Sequence, residues 1–331
     1  MKLLKLIPDD TNIKFLRWRV PFYTVSLLLM AASLALVFTK GLNLGVDFVG
    51  GQSVRATFVE HSEVPLAQVR EEIDALGYGE PILQQGDKPN ELSIRMKLPE
   101  DVGGLGLADQ MTRQIVTTIQ ENHEGVRIDG VDSVSGQVST ELAEKGALAL
   151  ALAMLGISIY IWVRFEWQFG VGALFALAHD VILTLGLFAL TQMEFDLNIV
   201  AAVLTIVGYS INDKMVIDDR IRENMRKYRK MDMKSLIDLS VNETLPRTVM
   251  TSVTIMLALG ALLLFGGHVL RGFTAAMMLG IIVGTYSSVY VSSSLLITLG
   301  LAPQVGERKG GKSGLAAQAE RVGPRDDGAR P

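Results

Sequence analysis

The chain has no cysteine, so disulfides and thiol chemistry are excluded. Histidine is scarce. His61, His123, His179 and His268 are scattered, with no spacing that would gather metal ligands. The P-loop and the GxSxG elbow are missing. The GxGD setting of an intramembrane aspartyl protease is missing too. No enzyme activity, metal or cofactor is therefore expected. Positive charge is not in excess either. The net charge of −4 gives no reason to expect nucleic acid. What the chain does have is apolar surface: 49% of its 331 residues are hydrophobic. Its mean hydropathy of +0.32 is high for a water-soluble chain of this length.

The apolar residues are bunched into runs, and crossing a bilayer takes roughly 20 of them. Six candidate spans follow. They are residues 20–38, Gly146 to Val163, Phe169 to Leu190 (interrupted by Asp180), Leu197 to Ile217, Thr248 to Gly267, and one within Gly272 to Ala302. The first is longer than the core of a signal peptide and follows a charged segment, so it reads as an uncleaved anchor. Basic residues set the orientation. They crowd before the first span, between the fourth and fifth (Arg220 to Lys234), and after the sixth. Both termini are thus expected in the cytoplasm: residues 1–19 as an N-terminal segment and 303–331 as a disordered tail. Residues 143–302 form the five-helix remainder, with a basic cytoplasmic loop at 218–247.

Residues 39–142 then lie outside. Ser53 to Val59 alternates as a strand does, and Leu66 to Leu76 has helical spacing. Ile82 to Gln85 and Glu91 to Leu98 flank the turn "GDKPN", Leu107 to Glu121 is a second helix, and Val126 to Val134 a last strand. The order β-α-β-β-α-β is the split βαβ, ferredoxin-like pattern. The expected fold class is a six-helix polytopic membrane protein carrying a small α+β ferredoxin-like extracytoplasmic domain.

Charges inside spans cost about 2.5–3.5 kcal/mol each on insertion scales and mark candidate function. Asp180 falls near the middle of the third span, beside His179, and Asp213 lies in the cytoplasmic half of the fourth. Arg247 stands at the entry to the fifth, where it also fits an ordinary interface arginine. Lys214 is expected to extend its long stem to the cytoplasmic surface. Asp213 is too short to do so, and Tyr209 and Ser210 one turn earlier are its expected polar company. Asp180 is counted with Asp213 and Arg247 as a candidate proton-relay residue, and it also fits a plain helix-tying role.

Small residues repeat in two stripes: Ala201, Thr205, Gly208 and Asn212, and Gly272, Ala276, Gly280, Gly284, Ser288 and Ser292. Such stripes let helices approach closely. Where the first span leaves the membrane stands "GLNLGVDFVGG", with Gly45, Asp47, Gly50 and Gly51. No second carboxylate or histidine lies at useful spacing from Asp47, so the stretch reads as a structural junction.

Six stretches in order resemble the SecF family, the smaller membrane subunits of the SecD–SecF accessory complex of the bacterial protein translocase. They are "LGVDFVGG", "FEWQFGVGALFALAHDV", "VGYSINDKMVIDDRIREN", "LPRTVMTS", "LFGG" and "GTYSSVYVSSSL", within Arg17 to Leu301. That family is similar in fold to the resistance-nodulation-division transporters. The resemblance implies a bacterial inner-membrane half-transporter paired with SecD. Using the proton-motive force, the pair would draw a preprotein from the SecYEG channel. It implies Asp213 as the proton-relay aspartate and Arg247 as the functional arginine. The residue after that aspartate is usually small, polar and uncharged in the family; here it is Lys214, and its effect on the relay is open. Half of a proton-driven small-molecule or lipid efflux pump, and a passive scaffold for SecD, are the competing readings.

Overall fold

The computed structural model describes residues 8, 11–86, 88–96, 105–267 and 270–301, with the side chains of 105–107 left aside. The tail expected at 303–331 and His268 lie outside the described residues.

Among the described residues six helices are long and apolar enough to cross a membrane. They are α1 (Arg19–Thr39), α5 (Gly136–Arg164), α6 (Trp167–Thr191), α7 (Leu197–Lys227), α8 (Met233–Phe265) and a last span from Arg271 to Thr298. Two begin well before their apolar runs. α5 starts behind Ser135, whose Oγ accepts from Val138 N. α8 starts behind Asp232, whose carboxylate accepts from the amides of Lys234 and Ser235, and it passes Pro246 without ending. The stretch 218–247, expected as a loop, is accordingly helical except for the turn between Lys227 and Met233. Apolar windows measure the thickness of a membrane. Caps decide where a helix starts.

The last span comprises α9 (Arg271–Ser287), a π turn over Ser288–Ser292, and α10 (Ser293–Thr298). The helices form two layers. Half or nearly half of the apolar window is buried in α6 (50%), α7 (44%) and the last span (56%). In α1, α5 and α8 it is 11%, 6% and 11%, so these carry leucine and valine outward, where lipid is the apolar solvent. Glycines bring the inner helices together. A methyl on Gly280 would overlap the buried Ile206 side chain of α7, and one on Gly284 would lie 3.2 Å from Ser210 Cβ. Gly208 is the opposite case. Nothing lies within 4 Å of its missing Cβ, and Ala201, Thr205, Gly208 and Asn212 form an exposed stripe on α7.

Between α1 and α5 stand a short helix α2 (Val46–Val49) and a four-stranded sheet. The strands are β1 (Gly51–Phe58), β2 (Ile82–Gln85), β3 (Glu91–Met96) and β4 (Val126–Val134), in the order β2-β3-β1-β4 with every neighbouring pair antiparallel. Helices α3 (Leu66–Asp74) and α4 (Leu105–Asn122) complete the unit. Val54, Phe58, Ile94, Met111, Ile115 and Ile119 close its own apolar core. The expected β-α-β-β-α-β order is present.

Candidate functional site

The site is built on α7, because one helix presents different residues on different sides. Neighbouring positions differ by about 100° around the axis. Ser210, Lys214, Ile217, Asp218 and Ile221 are buried, while the small-residue stripe faces out. Asp213 lies between these two sides, only 3% exposed.

Asp180 of α6 is fully buried. Its Oδ2 accepts from Ser210 Oγ of α7 at 2.5 Å and from Ser287 Oγ of α9 at 2.9 Å. Its Oδ1 lies 2.9 Å from His179 Nδ1, while His179 Nε2 is buried without a partner. One carboxylate thus joins the three inner helices. Ser210, expected beside Asp213, is spent on Asp180 instead. Tyr209 is engaged elsewhere as well: its hydroxyl pairs with Ser252 Oγ at 2.9 Å, which in turn meets Thr285 at 3.0 Å. Asp213 Oδ2 is buried with no hydrogen-bond partner.

Lys214 does not reach the surface as expected. It is fully buried, and its Nζ has no hydrogen-bond partner. The reason is its position around α7: it shares the inward side with Ser210 and Asp218, four residues before and after. Asp180, Asp218 and Asp213 are the charges that act on it. They act against the desolvation that burial of the ammonium costs, and none of them hydrogen-bonds its Nζ. Asp218, 3% exposed, was not singled out in the sequence. The available signal was its i,i+4 spacing from Lys214, which puts both on one side of the helix.

Arg247 lies on the exposed side of α8, within electrostatic range of Asp213. The structure therefore makes two groups. Asp180, His179, Lys214 and Asp218 are interior; Asp213 is buried on the flank of α7 toward its exposed stripe, and Arg247 is exposed.

The junction residues gather at the far end of α7. Asp196 is the N-cap of α7, accepting from Ile199 N, and Asp47 Oδ2 accepts from Leu197 N at 3.0 Å, so the junction also holds the first amide of the helix that carries Asp213. Gly45 N donates to Phe195 O at 2.9 Å, and Phe195 N donates to Asn43 O at 2.8 Å. A Cβ on Gly45 would stand 3.1 Å from the Glu194 carboxylate. Gly50 has φ +73°, and a Cβ there would lie 3.0 Å from Gly136 Cα, so no other residue suits it. Gly51 also has positive φ, at 121°. Arg95 Nη1 donates to Leu44 O at 2.7 Å, and Arg271 pairs with Glu91 at 2.8 Å, tying β3 to the junction and to α9. In the turn between α6 and α7, burial pushes the Glu194 carboxyl up, with Arg95 and Arg55 holding it back. Burial raises Asp196 likewise, opposed by its hydrogen bonds from Asn198 and Ile199. Among the described residues no group of three or more His, Asp or Glu side chains could hold a metal.

Residues 113–302 match the family model described as protein export membrane protein SecD/SecF, C-terminal, and residues 35–59 match the SecD/SecF GG motif, which contains Gly50 and Gly51. The chain is 41% identical to the protein translocase subunit SecF of Rhodobacter capsulatus over 308 residues, covering 90% of this chain and 92% of the relative. It is 41% identical over 297 residues to that of Rickettsia bellii, covering 88% and 95%. The solved structure of SecDF from Thermus thermophilus, a translocon-associated membrane protein, superposes with a TM-score of 0.79 at 33% identity. That likeness covers 89% of this chain and 39% of the SecDF chain, so the present chain spans well under half of that protein's length. SecDF in its super-membrane-facing form gives a TM-score of 0.64 at 32% identity, covering 95% and 40%. The chain is a multi-pass membrane protein and belongs to the SecF family of protein translocase subunits.

Proposed function

We propose that this chain pairs with SecD in the inner membrane and uses the proton-motive force to promote late steps of preprotein export through SecYEG. Both termini lie in the cytoplasm, and residues 39–142 form a periplasmic domain. The observation that carries this reading is Asp213. It is a buried carboxylate with an unpartnered oxygen, next to an exposed small-residue stripe on the same helix. The stripe is small and exposed, so it is where a SecD helix packs, with the buried Asp213 beside that contact. Asp213 loads and releases the proton, Arg247 supplies the nearby positive charge, and Asp180 holds α6, α7 and α9 in register. At about 150 mV, one charge crossing the full potential yields roughly 3.5 kcal/mol, enough to bias two packings of the helices.

The test is Asp213→Asn in inverted membrane vesicles. The expected result is loss of proton-driven preprotein release with SecD still co-purifying, and partial activity in Asp213→Glu, which keeps a titrating group. Full activity in Asp213→Asn would remove the relay role. The scaffold reading also has an observation behind it, the three-helix hydrogen bonding of Asp180. It predicts that Asp180→Asn lowers thermal stability and export together.

A further inference from the structure

At the opposite end of α7 from the junction, a cavity of about 160 Å³ is lined by Glu166, Arg222, Met225, Arg226 and Arg229. Its charge is lopsided, with three guanidinium groups against one carboxylate. Arg222 is held in place by Arg164 O at 3.4 Å, by Asp219 at 3.5 Å and by the face of Phe165, 5.2 Å away. Arg226 and Arg229 make no ion pair among the described residues and are exposed. The contact between Arg222 and Arg164 fixes the height of the cavity. It lies level with the turn between α5 and α6, where those two helices end their crossing. Trp162 and Trp167 flank that turn and are 62% and 53% exposed, as tryptophans at the headgroup level are. Val163 beside them is exposed on the lipid-facing α5.

We propose that this pocket binds the phosphate of an anionic phospholipid, with Arg226 and Arg229 as its free ligands and Arg222 as the fixed one. Guanidinium groups match phosphate oxygens with paired donors. The acyl chains would run down the exposed side of α5. A soluble anion would have no use for the apolar surface at the same height. The inference requires only that α5 and α7 cross a membrane, not that Asp213 carries protons.

Native mass spectrometry of the full chain in detergent tests it, with phosphatidylglycerol and phosphatidylcholine titrated separately. Retention of phosphatidylglycerol over phosphatidylcholine is the expected result. Arg226→Gln with Arg229→Gln should weaken phosphatidylglycerol binding about thirtyfold, from the usual worth of two basic groups at an anionic surface. Both residues are exposed, so the thermal midpoint should hold. Glu166→Gln removes the one opposing charge and should tighten binding. Equal retention of the two lipids, or undiminished binding in the double variant, would overturn the proposal. So would displacement of the lipid by an excess of inorganic phosphate, which would make the ligand a soluble anion.

Discussion

Replacing Gly280 by alanine puts a methyl group where the Ile206 side chain already lies. Its Cγ2 would stand 2.7 Å from the new carbon, and its Cγ1 and Cδ1 closer still. Ile206 is 1% exposed and branched at Cβ, so it has neither room nor rotamer freedom to retreat. Overpacking of this kind costs about 1–3 kcal/mol. The better helix propensity of alanine returns up to about 1 kcal/mol, which leaves a net cost of up to about 2–3 kcal/mol, the upper part of the range applying because Ile206 cannot move aside. Gly208→Ala is the matching control, since the space beside it is open. In the isolated chain it should be neutral or stabilising by up to about 1 kcal/mol. In the complex with SecD the packing proposed for the stripe predicts weaker association, because the added carbon would stand where the partner helix is placed. Thermal unfolding of the purified chain reads the first effect, and co-purification with SecD reads the second. A lower midpoint for Gly208→Ala alone, or unchanged SecD recovery with it, would refute the assignment of an inner and an outer glycine side.

Three further outcomes are expected. Glu194 has a raised carboxyl pKa in the fold, so the protonated form is favoured there; its contribution is full below the ordinary value of 4.5 and is lost as pH rises through the folded value. Hydrogen exchange at the Gly45–Phe195 bridge should therefore speed up with rising pH beyond the intrinsic rate, and Glu194→Gln should flatten that excess. Residues 39–142 should unfold cooperatively as a soluble fragment, because their apolar core is closed within the unit; a gradual, uncooperative transition would contradict this. Arg247→Lys should impair proton-driven release more than retention of charge suggests, since the planar fork of donors is lost; wild-type rates in vesicles would show that a point charge suffices.

The six spans and the β-α-β-β-α-β order were legible because both rest on periodicity and length. β2 and β4 fall on the residues expected, since each is bounded by turn residues. The starts of α5 and α8 were not, because their first turns are polar and held by caps, which hydropathy does not register. Asp180 and Asp213 were legible as charges out of place. Their surroundings were not: Ser210 is near both in the chain, yet only the packing of α6 on α7 decides that it serves Asp180. Lys214 was misjudged for the same reason. A long stem permits an exit to water, but position around the helix axis directs it inward.

Asp47 gives α7 a mechanical consequence. The helix has 31 residues, about 46 Å at 1.5 Å per residue, and a hydrogen-bonded rod of that length does not shorten under load. Asp213 sits sixteen residues along it, and the bond from Leu197 N to Asp47 grips its far tip. A displacement of an ångström along the axis at the carboxylate thus arrives at the tip undiminished. The bond stretches only a few tenths of an ångström before it fails. Either the strut detaches, or Asp47, the Gly50–Gly51 bend and the sheet that starts there travel with it. A force along the axis at the buried charge is delivered, without gearing, to the base of the α+β domain.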